Sequence, residues 1–233
     1  MSKKKDQEIK GDQRLENIEG TLSRTEQFIV NNQKYISVVV GVVVVLILVF
    51  FGFQRYYLKP KTVDAQEQMY MAQKYFESDS LDRALYGDGN SLGFIDIADE
   101  YSFTKPGKLA NYYAGICFLQ KGDYKKAIDY LESFDSDDHM IGPMAKGAIG
   151  DAYMELGDSD KAVTYYLEAV GQDDNDFTAP LFLLKAGQVY ELNGDYDDAL
   201  DIYNRIQDKY KMSNEGRSID KYIARAEAKR DRK

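Results

Sequence analysis

From Ile36 to Phe53 the chain runs through 18 residues without a charge, ISVVVGVVVVLILVFFGF, interrupted only by Ser37, Gly41 and Gly52. A helix rises about 1.5 Å per residue, so this run spans roughly 27 Å, close to the hydrocarbon core of a bilayer. Valine also suits strands, but strands usually stop after about 4 to 8 residues, and an apolar run this long predicts a membrane helix over residues 35–54. Asn31, Asn32, Gln33 and Lys34 bracket it on one side. Gln54, Arg55, Tyr56, Tyr57 and Lys59 bracket it on the other, where tyrosines suit the membrane interface. The run exceeds the roughly 7 to 15 residues of a signal peptide's apolar core, and Gly52-Phe53-Gln54-Arg55 is no small-x-small cleavage site, so an uncleaved anchor is expected. Ser37 and Gly41 form a small-xxx-small pair on which another membrane helix would pack.

Before the anchor, Leu15, Ile18, Leu22 and Ile29 recur at helical spacing and predict a short amphipathic helix in a tail of residues 1–34. After Pro60, which reads as the end of the anchor, helical spacing returns and the chain repeats itself. Gly115, Phe118, Gly122, Asp123, Tyr124, Ala127 and Leu131 set a frame. Gly150, Tyr153, Gly157, Asp158, Ala162, Tyr166 and Ala169 return to it, as do Gly187, Tyr190, Gly194, Asp195, Tyr196, Ala199 and Tyr203. Gly122, Gly157 and Gly194 suit the left-handed residue that ends a helix, and the aspartate after each suits a cap for the next. Small residues at Gly115 and Ala127 let paired helices approach closely, and no such unit buries its apolar face alone.

These three registers resemble the tetratricopeptide repeat family, over roughly Lys108 to Tyr210. The chain departs from the family in lacking a tryptophan at the start of each unit and in its longer connections at Phe134 to Pro143 and Gln172 to Pro180. The expected fold is all-α: a single N-terminal transmembrane helix, then a solenoid of three to four helix-turn-helix repeats with a C-terminal capping helix. A degenerate first unit is expected over 62–107, with a helix from Asp64 to Phe76, an insertion from Ser78 to Asn90, including Gly87-Asp88-Gly89-Asn90, in place of the turn, and a second helix near Leu92 to Tyr101. Three repeats fill 108–212. A capping helix, Ser218 to Ala228 with Ile219, Tyr222 and Ile223 turned inward, falls in 213–233, and Arg230 to Lys233 fray.

Charge narrows the partners. Beyond Lys61 there are 20 Lys and Arg against 33 Asp and Glu, a net of −13. Nucleic-acid affinity rests on cationic groups, so this acidic body without a basic stripe argues against such a ligand. One cysteine, Cys117, excludes an intramolecular disulfide and a cysteine-based zinc site, and it reads as a small core residue beside Ile116 and Phe118. The lone histidine, His139, falls in a loop. The acidic runs Asp135 to Asp138 and Asp173 to Asp176 lack the calcium-loop spacing. No phosphate-binding glycine loop or serine elbow appears, so neither an enzyme, nor a cofactor, nor a small-molecule substrate is expected.

Protein binding is what remains. In the family, first helices line a concave groove; the resemblance places Tyr112, Ile116 and Leu119, then Met144, Asp151 and Met154, then Leu181, Leu184 and Gln188 on that face. The family's lysine-and-asparagine clamp for a terminal carboxylate is absent at these positions. Either a partner occupies this apolar groove or the first unit and the connections fold back to fill it. The whole layout resembles ancillary translocon subunits of the YfgM type from bacterial inner membranes. That resemblance implies a cytoplasmic tail, periplasmic repeats, and association with SecYEG and a membrane-anchored periplasmic chaperone. Charge alone leaves orientation open, since Arg24 and Lys34 face Arg55, Lys59 and Lys61 across the span. A scaffold of another envelope assembly and a cytosol-facing receptor therefore remain alternatives.

Overall fold

A computed structural model describes residues 27–232. All its regular structure among those residues is helical. The chain divides into two units, Met1–Tyr57 and Leu58–Lys233. In the first, α1 (Gln33–Phe53) buries no residue and leaves its valines, leucines and phenylalanines open to the surroundings. Among the described residues it marks the one stretch long and apolar enough to cross a membrane. Ser37 and Gly41 lie one turn apart on it, with open space where a Cβ on Gly41 would stand. Of the amphipathic tail, Leu15, Ile18 and Leu22 lie outside the described residues, while Ile29 is helical and exposed.

Pro60 does not stop the helical backbone. It sits in the first turn of α2 (Lys59–Glu77), after a π-helical turn at Gln54–Leu58. Proline lacks an N–H and its ring clashes with the carbonyl four residues back; the wider turn before it accommodates both.

The second unit continues with α3 (Leu81–Tyr86), α4 (Phe94–Glu100), α5 (Lys105–Gln120), α6 (Tyr124–Glu132), α7 (Ile141–Glu155) and α8 (Ser159–Gln172). Then come α9 (Thr178–Asn193), α10 (Tyr196–Lys209), a 3-10 turn at Gly216–Ser218 and α11 (Asp220–Arg230). From α4 onward each helix packs chiefly on its neighbours in the chain, the quasi-one-dimensional pattern of a solenoid.

Two glycine positions explain the repeat. Gly122, Gly157 and Gly194 adopt φ of 78°, 78° and 86°, a left-handed conformation that glycine enters without a Cβ penalty. There the chain reverses, and the amides of Asp123, Asp158 and Asp195 donate to the carbonyls of Phe118, Tyr153 and Tyr190 at 3.0, 2.9 and 2.9 Å. The carboxylates of Asp123 and Asp158 then cap α6 and α8 by accepting from the amides of Lys126 and Lys161. Asp195, expected to do the same, makes no side-chain cap bond to α10.

The second position is the helix crossing. A Cβ on Gly115 would stand 2.5 Å from Leu131 Cγ, on Gly150 2.6 Å from Tyr166 Cε1, and on Gly187 2.4 Å from Tyr203 Cε1. Each repeat thus seats the side chain sixteen positions later directly on a bare helix backbone. Ala127, Ala162 and Ala199 are fully buried in the same crossings.

The segment from Ser78 to Asn90, expected to stand in place of the turn, contains a helix of its own. Asp79, at φ 57°, takes the left-handed place that glycine fills elsewhere, and the Ser80 amide donates to Tyr75 O at 2.9 Å. Helix α3 follows, with Ala84 buried as Ala127 is. The second helix of this unit is therefore broken in two, α3 and α4, and Gly93 packs so close to the Leu85 carbonyl that no Cβ would fit. At the far end Ile219 and Ala226 are buried, and Tyr222 and Ile223 pack on the core of the last repeat. Arg230, expected to fray, is the last helical residue and faces Asp197 at 3.7 Å.

Candidate protein-binding groove

Tyr112, Ile116 and Leu119 lie on α5, Met144, Asp151 and Met154 on α7, and Leu181, Leu184 and Gln188 on α9. Met144 is exposed and the other eight are half-buried. Tyr112, Ile116 and Leu119 rest on a cluster holding Leu131, Ala145 and Ile149; Met154, Leu181 and Leu184 rest on the core around Tyr166 and Leu183. These side chains thus each present one flank to the core and one outward.

Two features narrow the open face. The ring of Phe134, from the connection after α6, lies 5.5 Å from that of Tyr112. Asp151, expected to face a ligand, is already engaged: it accepts from Tyr166 Oη at 2.6 Å and from Lys185 Nζ at 2.6 and 2.7 Å. Burial and this bond to Asp151 push the Tyr166 phenol far above its ordinary pKa. Lys185 was not singled out from sequence. Its signal was its position on the first helix of the next repeat, one repeat beyond Asp151.

A second charged centre closes the last repeat. Glu191 on α9 is only 5% exposed and receives Arg225 and Lys229 from α11 and Tyr203 from α10. Burial raises its pKa, but the hydrogen bonds from Arg225 and Lys229 outweigh this and hold it below the usual glutamate value.

The reactive residue types stand apart. Cys117 is fully buried and its thiol is pushed up to about 12, which keeps it protonated and unreactive. His139 is exposed and paired through Nδ1 with Asp173. No group of three His, Cys, Asp or Glu side chains among the described residues is arranged to hold a metal ion.

Helical hairpins stacked through small residues, with a half-open row of apolar side chains on their first helices, define a protein-interaction solenoid. Residues 109–137 and 148–211 match two tetratricopeptide repeat family models, which support a tetratricopeptide repeat protein. The crystal structures of nearly identical TPR-like repeats from Podosopora anserina align with a TM-score of 0.54, one at 13% and one at 12% identity. Each alignment covers 72% of this chain and 87% of the other. The MamA protein aligns over 71% of this chain and 89% of its own at 17% identity, with a TM-score of 0.48. At 12% and 13% identity the likeness to the Podosopora repeats is one of fold. No curated protein sequence matches the chain. Tetratricopeptide repeats typically serve as non-enzymatic scaffolds for protein–protein contact.

Proposed function

We propose that this chain is a non-enzymatic, single-pass membrane adaptor that holds a protein partner at the extracytoplasmic face of a bacterial inner membrane, as an accessory to the Sec translocon and the periplasmic chaperone network. The observation that carries it is one chain combining an apolar helix that buries no residue with a repeat solenoid whose first-helix face keeps apolar side chains half open. The helix supplies the anchor and the solenoid the partner site. Met144, 37% exposed between the two half-buried rows, is the natural first contact.

Orientation is tested with a cysteine placed in the Asp135 to Asp138 loop and a membrane-impermeant maleimide, in intact cells with the outer layer permeabilised. Native Cys117 stays silent because it is buried. Labelling is expected; protection until lysis would overturn the extracytoplasmic reading. A photo-crosslinker at position 144 then identifies the partner. Capture of translocon subunits or a membrane-anchored chaperone supports the proposal, and capture of cell-wall or outer-membrane assembly proteins alone moves the chain to another envelope scaffold.

A further inference from the structure

The connections between repeats carry exposed apolar side chains at one recurring place. Phe103 stands just before α5, Met140 before α7, Phe177 before α9 and Met212 before the 3-10 turn that leads to α11. They are 80%, 44%, 76% and 79% exposed. Cross-links between the connections tie together the segments that carry Met140, Phe177 and Met212. Gln172 Nε2 donates to Ser136 O and Asn175 Nδ2 to His139 O, both at 3.0 Å, while Tyr210 and Lys209 donate to Asp174. Asn175 Oδ1 also accepts from the Phe177 and Thr178 amides at 2.9 and 2.8 Å, which fixes the backbone from which the Phe177 ring projects. Phe177 and Met212 line a common cavity of about 450 Å³.

Carboxylates surround this row. Asp138, Asp173 and Asp174 are engaged in a turn or an ion pair. Asp135, Asp137 and Asp176 are exposed and meet no cation among the described residues. The edge therefore presents apolar anchors one repeat apart, flanked by more carboxylates than cations; Lys209, paired with Asp174, and Lys211 are the cations that share the cavity with Asp176, Phe177 and Met212.

We propose that this edge, at the N-terminal ends of the first helices, binds a cationic amphipathic helix of a partner protein. The apolar side of such a helix meets Met140, Phe177 and Met212. Lysines or arginines between them face Asp135, Asp137 and Asp176, and charge of this sign selects against an anionic lipid surface. The inference is independent of the orientation across the membrane.

The test uses the full chain in a nonionic detergent and a fluorescent peptide of about 22 residues with leucines at heptad spacing and lysines elsewhere. A sibling peptide carries glutamate for lysine. The lysine peptide is expected to raise the anisotropy and the glutamate peptide not to. Phe177→Ser with Met140→Ser should weaken binding by about tenfold or more, as loss of central anchors does. Asp135→Asn with Asp137→Asn and Asp176→Asn should flatten its salt dependence. Leu192→Ser, an exposed apolar residue elsewhere, should leave affinity unchanged. All these side chains lie at the surface, so folding is preserved. Equal binding of both peptides, or unchanged affinity in the Phe177→Ser, Met140→Ser chain, overturns the proposal. Sedimentation with phosphatidylglycerol vesicles that fails in the same variant would also overturn it, giving the edge to the membrane.

Discussion

Arg225 grips Glu191 through two hydrogen bonds of 2.7 Å, Nε to Oε1 and Nη2 to Oε2, across 34 positions of sequence. The acceptor is nearly inaccessible while the guanidinium is half exposed. Removing one partner of a buried acceptor costs roughly 1–3 kcal/mol, so Arg225→Ala should lower the unfolding free energy by about that much in urea titrations. Because the folded pKa of Glu191 is depressed, its contribution is complete above the ordinary value of 4.5 and disappears as pH falls through the lower folded value. The gap between wild type and variant should therefore close in acid. A gap that persists there would assign the loss to packing.

Gly187→Ala and Gly150→Ala should destabilise. Alanine normally gains about 1 kcal/mol over glycine inside a helix, but here the added methyl meets the Tyr203 or Tyr166 ring within 2.6 Å. Overpacking of this kind costs about 1–3 kcal/mol and should dominate. Gly171→Ala on α8 has nothing within 4 Å and should be neutral or stabilising. Urea midpoints of the three variants decide it, and equal shifts would remove the crossing argument.

Asp158→Ala and Asp195→Ala should separate, although both residues occupy the same place in the repeat. Loss of a working N-cap costs about 1 kcal/mol, and Asp158 accepts from the Lys161 amide at 3.2 Å. Asp195 makes no such bond to α10. The thermal midpoint should drop clearly for the first variant and little for the second.

His139 is the only histidine, so its ring protons give one unambiguous titration by NMR. Its bond to Asp173 raises its pKa above 6.5. That pairing is complete below 6.5 and is lost as pH rises through the raised folded value. Asp173→Asn should bring the midpoint back towards 6.5, and an unmoved midpoint would disprove the pairing.

The long apolar helix and the three glycine-marked repeats were legible because local chemistry encodes them: an apolar run of bilayer length, and glycines where φ is positive or two helices touch. The first unit was read less well. Asp79 holds the left-handed position without a glycine, and Gly87 with Gly93 splits the second helix, so neither the helix at Leu81–Tyr86 nor its shared register with Ala127 showed in the letters. The nine candidate residues were legible as first-helix positions. That Lys185 would neutralise Asp151, and that Phe134 would lie against Tyr112, depends on contacts between repeats, which spacing within one repeat does not carry. The apolar edge escaped because its residues lie in connections, where no helical period draws attention to them.

The closure of Glu191 by α11 bears on how the molecule can associate. A repeat array with a bare final hairpin offers the next copy the same surface its own repeats use, and head-to-tail contacts of that kind propagate into open filaments. Here the last carboxylate and the apolar flank around Tyr203 are already covered by Arg225, Lys229, Tyr222 and Ile223. The surface of the last hairpin is thus taken up within the chain by α11 and is not offered to a second copy.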